Sequence, residues 1–142
     1  MLVAVVFCGC RMNNGDIGDF FGSWLLYSMT IDGKEAEGFD TESTYWEFQN
    51  NIIEISRVDS HYQKWGRWGT WFDDGDRLLL DYTHGDDDYA PGTDIYKAPE
   101  WLYFPSNQII VLNFVERQSK RMVLSMQDDK DRRIVYSLRK IW

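Results

Sequence analysis

The sequence predicts an all-β fold, an eight-stranded antiparallel up-and-down barrel, and three observations support this prediction. Aromatic residues make up 16% of the 142 residues, which indicates a packed or aromatic-lined interior. Short segments of alternating polarity follow one another along the chain, joined by turn residues. No segment carries a convincing helical pattern. Short meandering strands in this number favour an up-and-down barrel over a Greek-key sandwich.

The length and charge of the chain limit the number of its domains and the kinds of partner that it can bind. A chain of 142 residues forms one domain with one hydrophobic core. The formal net charge of −8 disfavours nucleic acid as a partner, because phosphate binding requires clustered Lys and Arg. The same charge disfavours electrostatic adhesion to anionic lipid.

The first ten residues form an uncharged apolar run that ends in Gly9-Cys10. The run is too short to span a bilayer. It resembles the second half of a bacterial lipoprotein signal, in which a small residue precedes the lipidated cysteine. The resemblance implies that Cys10 carries the lipid, and that the domain is held at the cell envelope, periplasmic or on the outer-membrane surface. The positively charged start of a signal is missing, so we expect the true start to lie upstream.

The remaining residues divide into a tether and a domain. Residues 11–19 are predicted to be a polar tether and residues 20–142 the barrel domain. Both cysteines, Cys8 and Cys10, precede the domain, so no structural disulfide is expected within it.

The first strand is predicted over residues 22–31, with Trp24, Leu26, Ser28 and Thr30 on one face. Turn residues mark the later boundaries, with Asn50-Asn51 and Asp74-Gly75 suited to tight hairpins. Residues 101–104 are predicted to be a short extra strand or a lead-in to the next one. The other principal strands are predicted over residues 43–49, 52–59, 64–73, 77–83, 108–117, 121–127 and 133–141.

One long irregular segment, residues 84–100, interrupts the strands and is a candidate lid. It contains Asp86-Asp87-Asp88 and Asp94, whose oxygens are of the kind that Ca²⁺ binds. The spacing of a known calcium loop is missing, so no metal site is predicted.

If Trp24 faces inward, strand parity selects the side chains that surround a ligand or fill the barrel. The fourth strand adds either Trp71 or Trp68, and parity does not decide between them. A ligand cavity and a filled core share one composition, so both remain open. The candidate ligand contacts are Trp46, Phe48, Trp71, Tyr82, Phe114, Met122, Met126 and Tyr136.

Gly22-Ser23-Trp24, which opens the first strand after a possible helical turn, resembles the Gly-x-Trp motif of the lipocalins. The chain also resembles the lipocalin-like domains of many small lipoproteins of Gram-negative bacteria. This resemblance implies that Trp24 closes one barrel end beneath a basic residue of the last strand. Arg139 and Lys140 both lie in that segment, and parity favours Lys140. The resemblance also implies a small hydrophobic ligand.

No catalytic constellation stands out, so we expect a protein that is not an enzyme and has no cofactor. The histidines, His61 and His84, lie beside turns, and a nucleophile elbow is missing. Glu47 and Glu54 approach one another across a hairpin, as a glycosidase pair would, but we expect both on the solvated outer face.

Two functions from different classes follow. The first is a membrane-anchored binder of a small, largely apolar molecule that enters opposite Trp24. A neutral or cationic ligand is favoured because the loop at the rim is acidic. The second is an envelope interaction or structural lipoprotein with a barrel filled by its own side chains, whose protein partner docks on aromatics such as Trp65 or Trp101.

Overall fold

The structure is a computed structural model that describes residues 20–41, 43–83, 95–106 and 108–142. These ranges contain nine strands and a short 3₁₀ helix, Glu100–Leu102. The strands are β1 (Gly22–Ile31), β2 (Lys34–Glu35), β3 (Thr44–Gln49), β4 (Ile52–Val58), β5 (Lys64–Asp73), β6 (Arg77–Asp81), β7 (Ile110–Arg117), β8 (Arg121–Gln127) and β9 (Arg133–Lys140).

Eight of these strands form a closed antiparallel barrel. Each strand from β3 to β9 pairs with its neighbour along the chain, β1 pairs with β3, and β9 pairs with β1. The strand β2 is a two-residue return that pairs with the end of β1 only. The predicted fold class is therefore confirmed, and closure leaves the eight main strands with neighbours on both sides.

The turns form where the sequence predicts them. Asn50, in the β3–β4 hairpin, has a φ of 45°, a conformation that Asn tolerates better than most residues. Gly75 has a φ of 99° in the turn between β5 and β6. The Asp74 carboxylate accepts hydrogen bonds from the backbone amides of Asp76 (3.1 Å) and Arg77 (2.7 Å). These local contacts hold the hairpins in register.

The predicted faces of β1 hold only for its first half. Trp24 and Leu26 face the interior, but the pairing of β1 with β9 shifts between Leu26 and Ser28. This β-bulge changes the parity of the strand, so Met29, which is 3% exposed, replaces Ser28 on the inner side. The prediction that Ser28 and Thr30 share the face of Trp24 was therefore wrong.

Residues 100–102 form a 3₁₀ helix that precedes β7, so of the two alternatives predicted for residues 101–104 the short extra strand was wrong. Pro99 precedes Glu100–Leu102, and Tyr103 ends it with a φ of 63°. The helix directs Leu102 into the core, where it is fully buried, and Phe104 follows it inward. Within the described ranges no helix is both long and apolar enough to span a bilayer.

Candidate functional site

One barrel end, hereafter the Trp24 end, is closed by packed aromatic rings. The Trp24 indole N–H donates a hydrogen bond to the Phe20 carbonyl (3.1 Å), which holds Phe20 across the opening. Lys140 Nζ lies 5.8 Å from the centroid of the Trp24 ring, whereas Arg139 is exposed. The structure thus places Lys140, of the two basic candidates, beside Trp24.

The interior at this end is filled by predicted ligand contacts. The Phe20 ring centroid lies 5.3 Å from that of Phe48, 5.2 Å from Trp71 and 5.9 Å from Phe114. The Arg117 guanidinium covers the Phe20 ring at 5.0 Å. Phe48, Trp71 and Phe114 therefore each pack against Phe20, and Phe48 also packs against Trp71 at 5.3 Å, distances typical of aromatic pairs.

The opposite end, hereafter the far end, is covered by the segment that contains the 3₁₀ helix. The Phe104 ring lies 6.0 Å from Trp46 and 5.5 Å from Tyr136. The Tyr136 hydroxyl donates a hydrogen bond to the Leu102 carbonyl, and burial raises the pKa of Tyr136 well above its ordinary value. The end where ligand entry was predicted is thus occupied by Leu102 and Phe104.

A cavity of about 370 Å³, hereafter the side cavity, opens in the barrel wall where β5 and β6 diverge. Their pairing ends at Thr70 and Asp81. Beyond that point the Trp68 amide donates a hydrogen bond to the Ile95 carbonyl (2.6 Å). The chain at Ile95 therefore replaces β6 as the hydrogen-bond partner of β5 there. The side cavity is lined by Ile52, Trp68, Gly69, Thr70, Asp81, Tyr82, Ile95 and Tyr96.

A second cavity of about 300 Å³, hereafter the mouth cavity, lies at the far end. Three carboxylate residues and one arginine line it together with aromatic rings. These charged groups make it a poorer site for an apolar molecule than the side cavity. Its lining residues are Met29, Glu37, Gly38, Phe39, Asp40, Ser43, Thr44, Arg57, Glu100, Trp101 and Tyr103.

Most of the predicted ligand contacts form the core and not a cavity wall. Of the eight, only Tyr82 lines the side cavity, and none lines the mouth cavity. Trp46, Phe48 and Tyr136 are fully buried, and Met122 and Met126 are 1% and 4% exposed. Trp71 packs against this core, while Trp68, the alternative to it, is 39% exposed and faces the side cavity. Ligand contact by the eight residues stays a prediction.

Sequence reasoning missed two groups of residues. Ile95 and Tyr96 reach the side cavity only because β5 and β6 diverge, and strand parity carries no signal for this. Arg67 could have been found, since it shares the face of Trp71. The structure buries Arg67 inside the barrel wall, 8% exposed.

Glu47 and Glu54 lie directly opposite one another in the β3–β4 ladder, on the outer face as expected. The expectation that both are solvated was wrong for Glu54, which is only 5% exposed. Lys64 forms an ion pair with Glu54, and its hydrogen bond to that carboxylate raises the pKa of Lys64. This pairing gives Glu54 a structural role.

No cluster of three potential metal ligands occurs among the residues that the structure describes. The acidic residues Asp86, Asp87, Asp88 and Asp94, and the predicted lipidation site Cys10, lie outside those residues.

The family model of the lipocalin-like domain matches residues 5–136 of the chain. The chain belongs to the lipocalin-like family. Its barrel resembles the crystal structure of a lipocalin-like protein from Bacteroides uniformis, with 14% sequence identity and a TM-score of 0.60, covering 87% of this chain and 100% of that one. An uncharacterized Bacteroides eggerthii protein is similar, with 17% identity, a TM-score of 0.60 and coverages of 85% and 98%. No curated protein matches the chain significantly.

Proposed function

We propose that this lipocalin-like chain is a non-enzymatic binder of a small, largely apolar molecule, and that the ligand lies in the side cavity. The observation that carries the proposal is the cavity itself. Its volume of about 370 Å³ lies in the range of small-molecule sites, and five of its eight lining residues are large and mainly apolar: Ile52, Trp68, Tyr82, Ile95 and Tyr96.

The polar groups of the side cavity fit a ligand that is mainly apolar. The Asp81 carboxylate accepts hydrogen bonds from the Thr83 amide (2.8 Å) and hydroxyl (2.6 Å). It is thereby partly satisfied before any ligand arrives. Trp68 and Tyr96 present large faces that bury apolar area at a small cost in side-chain entropy.

We also propose that the protein is anchored at the cell envelope. Acylation of Cys10 would hold the domain at the cell envelope, in the periplasm or on the outer-membrane surface, with residues 11–19 as the tether. Stable attachment to a membrane needs more than one acyl chain.

The test is to find the ligand and then remove its site. Purified protein is extracted with organic solvent, and mass spectrometry is used to look for a small molecule in stoichiometric amount. Trp68→Ala is expected to lower the recovered amount about tenfold or more, because it removes a large part of the cavity wall. Phe72→Ala is the matched control, since Phe72 is 62% exposed on the same strand and does not line the cavity. Recovery of equal amounts of the small molecule from both variants would exclude the side cavity as its binding site.

One observation favours the alternative, an envelope interaction protein. The barrel axis is filled by its own side chains, with Phe20 at one end and Leu102 and Phe104 at the other. Exposed apolar residues on the outer face, including Phe72 and Val115, at 62% and 53%, are available to a partner. An empty extract, together with a partner captured through Phe72, would favour this function.

A further inference from the structure

A positively charged side chain is buried inside the wall of this barrel. Arg67 lies on the inner face of β5, opposite Ile55 of β4, and is 8% exposed. Its guanidinium stacks on the Trp101 ring at 5.4 Å. Because guanidinium groups remain charged in proteins, burial at this position requires compensation by acceptors.

The acceptors around Arg67 compensate for its charge poorly. Its Nη1 donates to the neighbouring Gly66 carbonyl and its Nη2 to Glu100 Oε1, both at 3.4 Å, which is long for charge-assisted hydrogen bonds. The Glu100 side chain is 74% exposed, so water screens its charge. Arg67 Nε has no acceptor among the residues that the structure describes.

A second donor without a partner packs on Gly69, two residues from Arg67 along the same strand. The Tyr82 side chain is buried and its ring crosses Gly69, where an added Cβ would lie 2.9 Å from the ring carbons. Its hydroxyl has no hydrogen-bond partner within the described ranges. Burial raises the pKa of Tyr82, against a smaller opposing effect of the Arg67 charge, so the hydroxyl stays protonated and able to donate. Tyr82 also lines the side cavity.

We propose that Arg67 and Tyr82 bind the carboxylate of the ligand, whose apolar body lies in the side cavity. This inference rests on the proposed function and narrows the ligand to an amphiphilic acid. It reverses the preference for a neutral or cationic ligand, which rested on the acidic loop alone. The Arg67 Nε–H and the Tyr82 O–H are donors that have no acceptor in the described part of the chain, and the ligand supplies one.

A carboxylate suits this position better than a phosphate monoester. The cost of desolvating an ion rises steeply with its charge, and one guanidinium balances a single negative charge. Glu100 now contacts Arg67 but extends largely into solvent, so the ligand carboxylate takes over its contact. Glu100 thus competes with the ligand for Arg67.

The test uses decanoic acid, decan-1-ol and decyl phosphate as probes, titrated calorimetrically into the purified chain at neutral pH. Decanoate is expected to bind at least about tenfold more tightly than decanol, the gain of one charge-assisted hydrogen bond, and more tightly than decyl phosphate. Equal affinity for decanoate and decanol would overturn the carboxylate assignment and leave the proposed function standing. If none of the three probes binds, the proposed function fails as well.

Tyr82→Phe separates a ligand contact from a structural role. Removal of a buried hydroxyl that has no partner should leave the free energy of unfolding unchanged or increase it. The same change is expected to weaken decanoate binding about tenfold and to leave decanol binding unchanged. Tyr96→Phe is the matched control, because Tyr96 lines the same cavity, whereas Arg67 contacts Gly66, Glu100 and Trp101. An equal loss in both variants, or none in Tyr82→Phe, contradicts the proposal.

Glu100→Gln tests the competition at Arg67 in the opposite direction. Loss of the competing charge is expected to tighten decanoate binding several-fold. If Glu100 is instead the permanent partner of Arg67, this variant is less stable and its decanoate affinity does not rise. That result would overturn the proposal.

Discussion

Single glycine residues allow two backbone segments to pack closely against each other. Gly22 of the Gly-x-Trp motif has a φ of 122°, and a Cβ at this position would lie 2.1 Å from the Trp142 carbonyl oxygen. The last residues of the chain run alongside β1 here and extend its pairing with β9: the Ser23 amide donates to the Trp142 carbonyl (3.2 Å), and the Ile141 amide donates to the Ser23 carbonyl (2.9 Å). The motif therefore joins the two ends of the domain.

Gly69 is a second such position, and its replacement by alanine is expected to destabilise the fold. A Cβ at Gly69 would lie 2.8 Å from the Asp81 carbonyl oxygen and 2.9 Å from Tyr82 ring carbons. The backbone oxygen cannot move without disturbing the β5–β6 ladder, so Gly69→Ala should lower the free energy of unfolding by about 1–3 kcal/mol. Urea denaturation measures the difference.

The control for this change is Gly66→Ala in the same strand. A Cβ at Gly66 has no contact nearer than 3.6 Å, so alanine fits there. We expect Gly66→Ala to have the stability of the parent or slightly more, because glycine weakens a strand. Equal destabilisation by both changes would mean that strand flexibility, and not the contact with β6, sets the effect.

At the scale of elements, ion pairs tie strands that are distant in sequence. Arg117 at the end of β7 donates to both carboxylate oxygens of Asp73 at the end of β5, with Nη1 2.9 Å from Oδ1. The guanidinium also lies 4.7 Å from the centroid of the Phe114 ring. This pair holds β5 and β7 together at the Trp24 end, around the β6 hairpin.

The Asp73 pair predicts a pH-dependent contribution to stability. Burial works to raise the pKa of Asp73, but hydrogen bonds from Arg117 and the Gly75 amide outweigh it and hold the pKa below its ordinary value. Stabilisation by the carboxylate is therefore present at neutral pH and is lost as the pH falls through the lowered folded-state pKa. We expect Asp73→Asn to cost less than about 1 kcal/mol at pH 7, since solvent screens the pair.

Thermal unfolding from about pH 7 down to about pH 3 measures this contribution to stability. The difference in stability between the parent and Asp73→Asn should narrow as the pH falls below about 4. Asp76→Asn is the control, because Asp76 lies in the same turn with an exposed side chain. A gap that is constant over the whole pH range would show that the loss comes from packing and not from the charge.

At the scale of the whole molecule, the proposed lipid anchor predicts membrane association through one cysteine. The chain is expressed in a Gram-negative host from a start upstream of residue 1 that supplies a complete signal, and is partitioned into detergent. The parent is expected in the detergent phase, and Cys10→Ala in the aqueous phase, because the acyl chains are lost. Cys8→Ala is the matched control and should partition like the parent. Detergent partitioning of Cys10→Ala as strong as that of the parent would contradict lipidation at this residue.

The sequence by itself determined the strands and the turns of this barrel. Alternation of polarity and turn residues such as Asn50 and Gly75 act locally, so they place β1 and β3–β9 within about two residues of their observed ends. The lipocalin resemblance implied a basic residue of the last strand beside Trp24, and parity selected Lys140, which lies over Trp24. Strands, turns and parity depend on neighbours in the chain, so the chain specifies them directly.

Only the tertiary structure decided where a ligand could lie. The bulge after Leu26 moves Met29 inward, Phe20 adds to the closure of the Trp24 end, and Leu102 and Phe104 fill the end where ligand entry was predicted. The side cavity exists because β5 and β6 part at Thr70 and Asp81. Core residues and cavity-lining residues have the same composition. Whether a residue belongs to one or the other depends on the space that remains after segments distant in sequence have packed together.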